Sequence, residues 1–284
     1  MTAEPELIVV ADPQEAAAAA AARIATVLAQ SVAERGRADW ATTGGSAPIG
    51  IYRHLVAAPL RDAVPWEAVH VWWGDDRYVP RDHPLSNVKA LDDILLGLGL
   101  AEEGVAGGGP AGVSIPLDQL HPFRTSEAIG RARGAAWCAV ALAEELRSAG
   151  PPFVDGWPSF DLLVLGVGAD GHILSVFPGS PAIGAADLAM AIPAPTHIEP
   201  HVERVTLNPA IVGSARHVLV LATGKGKAPV LGEIFGPTRD TARWPAQLAR
   251  RAGATWIVDA AAAKHAAHHT HAEVVVQAVR DFLG

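Results

Sequence analysis

Short runs of unbroken apolar residues alternate along the chain with longer segments whose apolar positions recur at helical spacing. "ELIVVA" reads as a strand. Behind it Asp12 is placed to cap a helix, with Pro13 in the first helical position and Glu15 closing a capping box. The alanine-rich run from there to Arg35 predicts one long helix. "RADWATT" and "AVHVWWGD" predict the second and third strands, with a "GGSAP" turn and an apolar helix through Leu55 behind the first of them. Helices are expected from about Ser86 to Leu96 and from about Thr125 to Ser148, on either side of a Gly/Pro-rich loop over residues 104–113.

"FDLLVLGVG", "HVLVLATG" and "ATWIVD" supply further strands, with helical segments around Lys227 to Phe235 and after Asp259. Repeated strand-then-helix units imply an α/β class: a Rossmann-like domain with a mainly parallel sheet and helices on both faces. "GPPFVDGWPS" interrupts the pattern near the middle of the chain, but the alternation resumes directly. Residues 1–284 are therefore expected to form a single domain.

Half of the 284 residues are apolar and 18% are charged, which supports a sizeable core. A net charge of −8 weighs against nucleic acid as a partner, yet leaves room for a locally basic pocket and a small anionic ligand. Cys138 is the only cysteine, which excludes an intramolecular disulfide and a cysteine-based zinc site. Its apolar helical surroundings, "GAAWCAVALAEEL", predict a buried thiol. The start, "MTAEPELIVVADPQE", fits no secretory signal, and no stretch reaches the ~18 unbroken apolar residues of a membrane span. The expectation is a soluble, cytoplasmic protein without a membrane partner, either a monomer or a small homo-oligomer.

In open parallel sheets, ligands bind beyond the C-terminal ends of the strands, so the residues just after each apolar run deserve inspection. "TGGSAP" sets Gly44, Gly45 and Ser46 directly before a helix, where free backbone N–H groups can hold an anion. The spacing is not that of a Walker loop, and an ordinary turn reads equally well. "GDDR" joins Asp75, Asp76 and Arg77 at a strand end. Adjacent aspartates suit metal ligation, acid/base work or a solvated loop, and the neighbouring guanidinium weighs against a cation. "RVT" and "ATGKGK" supply Arg204, Lys225 and Lys227, phosphate-binding types unless they are plain surface charge. The C-terminal His265, His268, His269 and His271 have helical spacing that suits zinc. They lack a carboxylate or pocket signal, so a solvated face and no metal site are expected.

"LGVGADGHILSVFPGSP" spells G-x-G-x-x-G with Gly166, Gly168 and Gly171. A dinucleotide fingerprint needs a helix starting inside the glycines and an acid at the end of the next strand. Pro178 and Pro181 deny it the helix, and "LAMAIPAP" ends in prolines, so no nucleotide cofactor is expected. The same stretch makes better sense as chemistry. Gly171 permits a sharp turn that aims His172 over the strand ends, where an imidazole can take a proton from water. Asp170 either orients that ring or shapes the turn.

Taken in order, "TGGSAP", "GDDR" with "SN" at Ser86 and Asn87, "GVGADGHILSVFPG", "RVT" and "GKGK" resemble the 6-phosphogluconolactonase family. That family lies within the glucosamine-6-phosphate deaminase/isomerase superfamily. The resemblance implies hydrolysis of 6-phospho-D-glucono-1,5-lactone to 6-phosphogluconate in the oxidative pentose phosphate pathway, without metal or cofactor. It implies His172 as general base, with Asp170 beside it, Asp75 as the residue that positions Arg77 or the water, and Arg77 or a glycine N–H as oxyanion donor. Gly44, Gly45, Ser46, Arg204 and Lys227 are then the phosphate holders. Asp76 departs from the family's usual glutamate, and the "GGGPAG" stretch is longer than the pattern leads one to expect. The deaminase/isomerase branch carries Asp-Glu-Tyr at the third strand end and a glutamate five residues after the histidine; this chain has Arg77 and Phe177 there. A non-catalytic sugar-phosphate sensor of the same fold would carry a DNA-binding domain, for which the expected single domain leaves no spare segment.

Overall fold

The computed structural model describes residues 4–45, 47–98 and 112–266. In chain order the strands are β1 (Glu6–Val10), β2 (Ala38–Thr42), β3 (Val69–Trp73), β4 (Asp75–Arg77), β5 (Leu120–His121) and β6 (Phe153–Val154). They continue with β7 (Trp157–Pro158), β8 (Leu162–Gly166), β9 (Ala189–Ile192), β10 (Arg204–Leu207), β11 (His217–Ala222) and β12 (Ala254–Asp259). The α-helices are α1 (Pro13–Arg35), α2 (Ala47–Leu55), α3 (Leu60–Ala63), α4 (Thr125–Gly130) and α5 (Ala135–Ala149). Three more, α6 (Ile211–Ser214), α7 (Ala228–Phe235) and α8 (Ala260–Ala263), lie in the C-terminal half.

Seven strands form an all-parallel central sheet in the order β1-β12-β11-β8-β2-β3-β5. The apolar runs of β8 and β11 are buried almost throughout, as parallel strands covered on both faces are. Trp40, Trp72, Trp73 and Trp256 lie fully inside, each removing roughly 200 Å² from water. Helix α1 crosses the sheet against β2, β11 and β12. It is a described helix long and apolar enough to span a membrane by composition alone, yet its alanine face is part of the core. Small residues also let α2 approach closely: a Cβ on Gly50 would sit 2.8 Å from that of Ala17.

Local expectations are met where backbone groups have no competing partner. Asp12 Oδ1 accepts the N–H groups of Gln14 and Glu15 at 2.8 and 2.9 Å, with Pro13 opening α1. Glu15 reaches back to the N–H of Ala11 at 3.0 Å, one residue earlier than a capping box requires. Cys138 is buried in α5, and burial pushes its thiol up to about 11, which leaves it unreactive.

Two helices differ from expectation. The segment from Ser86 winds only over residues 89–95; ahead of it the N–H of Asn87 is bound to Asp76 Oδ1 at 2.7 Å and that of Val88 to Ser86 Oγ at 3.2 Å. The helix expected over Thr125 to Ser148 breaks in two, with Ala132 in the left-handed region at φ 50° between Gly130 and Gly134. A second sheet is also present. After Gly74 the chain leaves the central sheet, and β4 pairs antiparallel with β10, which pairs with β9. Ser46, residues 99–111, and His268, His269 and His271 lie outside the described residues; His265 is exposed.

Strand order places the site. The connection from β2 leads to β3 on one side, and that from β8 leads towards β11 on the other, so the order reverses between β2 and β8. Their ladder covers only Trp40↔Leu162 and Ala41↔Leu163. Beyond it a crevice opens at the C-terminal ends of the strands, the place where doubly wound sheets bind ligands.

Candidate active site

A cavity of about 290 Å³ occupies that crevice. Thr43, Gly44 and Gly45 after β2, Asp75 and Arg77 of β4, and Gly166 to Ala169 with His172 after β8 all line it. Arg204 of β10, with Thr223 and Lys227 after β11, completes its wall. The four polar clusters singled out in the sequence thus share one rim, apart from Ser46, which falls outside the described residues.

The loop after β8 is shaped by close approach. A Cβ on Gly168 would stand 2.0 Å from His172 Nδ1 and 2.4 Å from Asp170 Oδ1, so only glycine leaves room for the pair. Gly171 takes φ 83°, in the left-handed region that favours glycine, and packs against the Trp244 ring. Residues 167–188 contain no helix, which denies the G-x-G-x-x-G spelling its dinucleotide geometry.

Asp170 Oδ1 lies 2.5 Å from His172 Nδ1, and Asp170 Oδ2 lies 2.9 Å from His197 Nε2. Burial alone would raise the Asp170 carboxyl, but its bonds to His172 and His197 and the charge of His172 outweigh that. They hold it well below the usual carboxylate range. An ionised carboxylate only accepts, so His172 Nδ1 carries the donated proton, and Nε2 is the ring nitrogen that faces away from Asp170. Among the described residues nothing bonds to that Nε2. Phe177 packs on the imidazole with ring centroids 4.8 Å apart.

The opposite wall carries opposed charges. Arg77 and Arg204 face each other directly across the β4–β10 ladder, an arrangement that like charges disfavour without counter-ions. Asp75, on the same strand, offsets that repulsion at Arg204. Asp76 is fully buried and accepts the N–H groups of Arg77 and Asn87 at 2.8 and 2.7 Å. Burial pushes its carboxyl up to about 7, with Asp75 adding to the rise and those N–H bonds and Arg77 opposing it. Asp75 Oδ2 accepts Ser175 Oγ at 2.6 Å, and its Oδ1 faces Asn87 Nδ2 at 3.3 Å. Arg77 Nη1 donates to Leu85 O at 2.7 Å, while its Nε is buried without a partner among the described residues. Arg204 spends Nε and Nη2 on the carbonyls of Val202 and Pro200. Burial lowers the Lys227 ammonium, partly offset by Asp170.

Ser175 and His197 are among the side chains in this network that had no role assigned from the sequence. Ser175 sits inside the quoted "DGHILS" motif, but nothing in spacing reveals a partner a hundred residues away. His197 lies in "PAPTHIEPH", where proline and histidine carry no periodic signal at all. No group of three or more His, Cys, Asp or Glu side chains suited to a metal ion occurs among the described residues.

The fold and cavity define a doubly wound α/β protein with a histidine–carboxylate pair facing a basic wall at its switch point. The family model described as glucosamine-6-phosphate isomerases/6-phosphogluconolactonase matches residues 11–258, and the chain belongs to that family. It is 33% identical to a 6-phosphogluconolactonase of Streptomyces coelicolor over 271 residues, 93% of this chain and 95% of that one. A Synechocystis 6-phosphogluconolactonase is 32% identical over 237 residues, 83% of this chain and 88% of its own length. Among solved structures, the 6-phosphogluconolactonase of Trypanosoma brucei superposes with a TM-score of 0.76 at 31% identity. That match covers 92% of this chain and 98% of the other. A monomeric glucosamine-6-phosphate deaminase superposes with a TM-score of 0.71, covering 92% of this chain and 99% of its own, but at 16% identity it shows the fold alone.

Proposed function

We propose that this chain hydrolyses 6-phospho-D-glucono-1,5-lactone to 6-phospho-D-gluconate, as a cytoplasmic step of the oxidative pentose phosphate pathway, with residues 1–284 acting as one domain. The carrying observation is the Asp170–His172 pair, whose imidazole faces the cavity with its Nε2 uncommitted while Arg77, Arg204 and Lys227 line the same space. The 6-phosphogluconolactonases to which the chain is similar support the substrate.

In this reading His172 Nε2 takes a proton from water as the water oxygen bonds to the lactone carbonyl carbon. The carbonyl electrons move onto oxygen, and Arg77 or a glycine N–H donates to the oxyanion. Collapse restores the carbonyl and breaks the bond to the ring oxygen, which receives the proton back from Nε2. Asp170 keeps the ring in the Nδ1–H tautomer throughout. Asp75, held by Ser175, steadies Arg77 or the water. Lys227, Arg204 and the Gly44–Gly45–Ser46 turn hold the phosphate, a dianion that the basic wall favours.

A glucosamine-6-phosphate deaminase needs an additional carboxylate to move protons on carbon. Phe177, apolar and packed on His172, occupies the corresponding position and argues against that activity. The test is a side-by-side assay of the purified protein on both substrates, following lactone loss above its spontaneous rate and ammonia release from glucosamine 6-phosphate. Lactone hydrolysis that His172→Ala abolishes with the fold intact is the expected result. Ammonia release without lactonase activity would transfer the chain to the deaminase branch, and binding with neither activity would make it a sensor.

A further inference from the structure

The loop between β9 and β10, residues 193–203, reaches over the crevice and brings His197 Nε2 to 2.9 Å from Asp170 Oδ2, the oxygen that His172 does not use. We infer that His197 is a positioning residue for the proposed hydrolysis: it fixes the plane of the Asp170 carboxylate, and through it the direction in which His172 Nε2 points. This inference rests on the lactonase reading above.

The physical need for a second donor lies in the aspartate itself. Rotation about the terminal bond of an aspartate side chain is soft, and His172 holds only Oδ1, through Nδ1 and its backbone N–H at 3.2 Å, which leaves Oδ2 free to swing out of plane without a partner of its own. Donors on both oxygens remove that freedom before the substrate arrives, and orientation of this kind lowers a barrier without touching the substrate. Two imidazoles on one carboxylate accomplish it here.

The arrangement is built to last. His197 is half exposed, so water could satisfy its ring; instead its imidazole stands edge-on to Phe177, centroids 5.5 Å apart at 87°. Phe177 also packs on His172, so one phenyl ring braces both imidazoles. The loop that carries His197 is tied down along its length. His201 Nδ1 pairs with Pro195 O at 2.7 Å, Arg204 Nη2 donates to Pro200 O at 3.0 Å, and Tyr78 N–H donates to Glu203 O at 2.7 Å. Arg204, expected to serve the phosphate, thus also anchors the loop that supports the base.

The experiment compares wild type, His197→Phe and His197→Gln by steady-state kinetics on the lactone and by proton NMR of the unliganded protein. His197→Phe is expected to lower kcat about tenfold, the scale of one charge-assisted hydrogen bond, with KM within about twofold. His197→Gln can present an amide N–H where the imidazole Nε2–H lies, and should recover most of the loss. Unchanged kcat in the phenylalanine variant, or equal losses in both variants, would overturn the inference. So would a lowered melting temperature or raised KM with kcat intact, the mark of a loop that is merely structural. In the NMR spectrum, the carboxylate-bonded Nδ1–H of His172 should move in His197→Phe and stay near its wild-type position in His197→Gln. A resonance indifferent to both substitutions overturns the inference whatever the activity. A wild-type protein inactive on the lactone overturns the proposed function separately.

Discussion

Ser175 Oγ donates to Asp75 Oδ2 at 2.6 Å, tying the loop after β8 to the strand that leaves the central sheet. Both residues are buried, Ser175 completely, so the Ser175 hydroxyl has no water as a substitute partner.

Ser175→Ala should therefore strand a buried carboxylate oxygen and cost about 1–3 kcal/mol of stability. Urea unfolding measures the loss. Because Asp75 shares a strand with Arg77, lactonase activity should fall together with stability. A variant as stable and active as wild type would mean that the bond has no weight.

Gly168→Ala tests the room left for the Asp170–His172 pair. The added methyl would lie far inside contact distance of both side chains, at 2.0 and 2.4 Å. One of them must turn away, and we expect kcat to fall by about two orders of magnitude, the usual worth of a positioned general base. Circular dichroism should stay native, since His172 and Asp170 are only part-buried. Retained activity would show that the pair can shift without penalty.

Asp76 should make stability depend on pH. Its folded value, about 7, lies above the 3.8 of the free side chain, so the folded state holds a proton that the unfolded state has released. The associated stability is fully present below about pH 4 and is lost as the pH rises through about 7. The slope within that window is on the order of 1 kcal/mol per pH unit. Asp76→Asn keeps an oxygen for the N–H groups of Arg77 and Asn87 but cannot ionise. Melting temperatures across pH 4–8 should flatten in this variant relative to wild type, and parallel curves would refute the assignment.

The legible parts of the molecule were those governed by local rules. Fully apolar runs such as that of β8 identified central strands, Asp12 with Pro13 located the start of α1, and Pro178 ruled out the nucleotide helix. Much of what was misread depends on contacts between segments distant in sequence. Asn87 gives its N–H to Asp76 and its side chain to Asp75, contacts that tie the segment from Ser86 to β4 ahead of the helix. The strand at Asp75–Arg77 follows an apolar run after one glycine, and its change of sheet depends on β10, more than a hundred residues on. The candidate site was visible because its residues follow strand ends, whose meeting point topology dictates. His197 follows no central strand, and so no rule of position marked it.

The pairing of β1 with β12, Glu6 opposite Thr255 through Val10 opposite Asp259, joins the two ends of the described chain in one sheet. Strand β1 thus waits for β12, on the far side of nearly the whole described chain, before its ladder can form, and contacts so distant in sequence make for slow folding. The crevice draws on residues from Thr43 to Lys227, so no early fragment can hold it. Catalytic competence should therefore arise only after Lys227 has been made, so turnover reports that strands from β2 to β11 have come together.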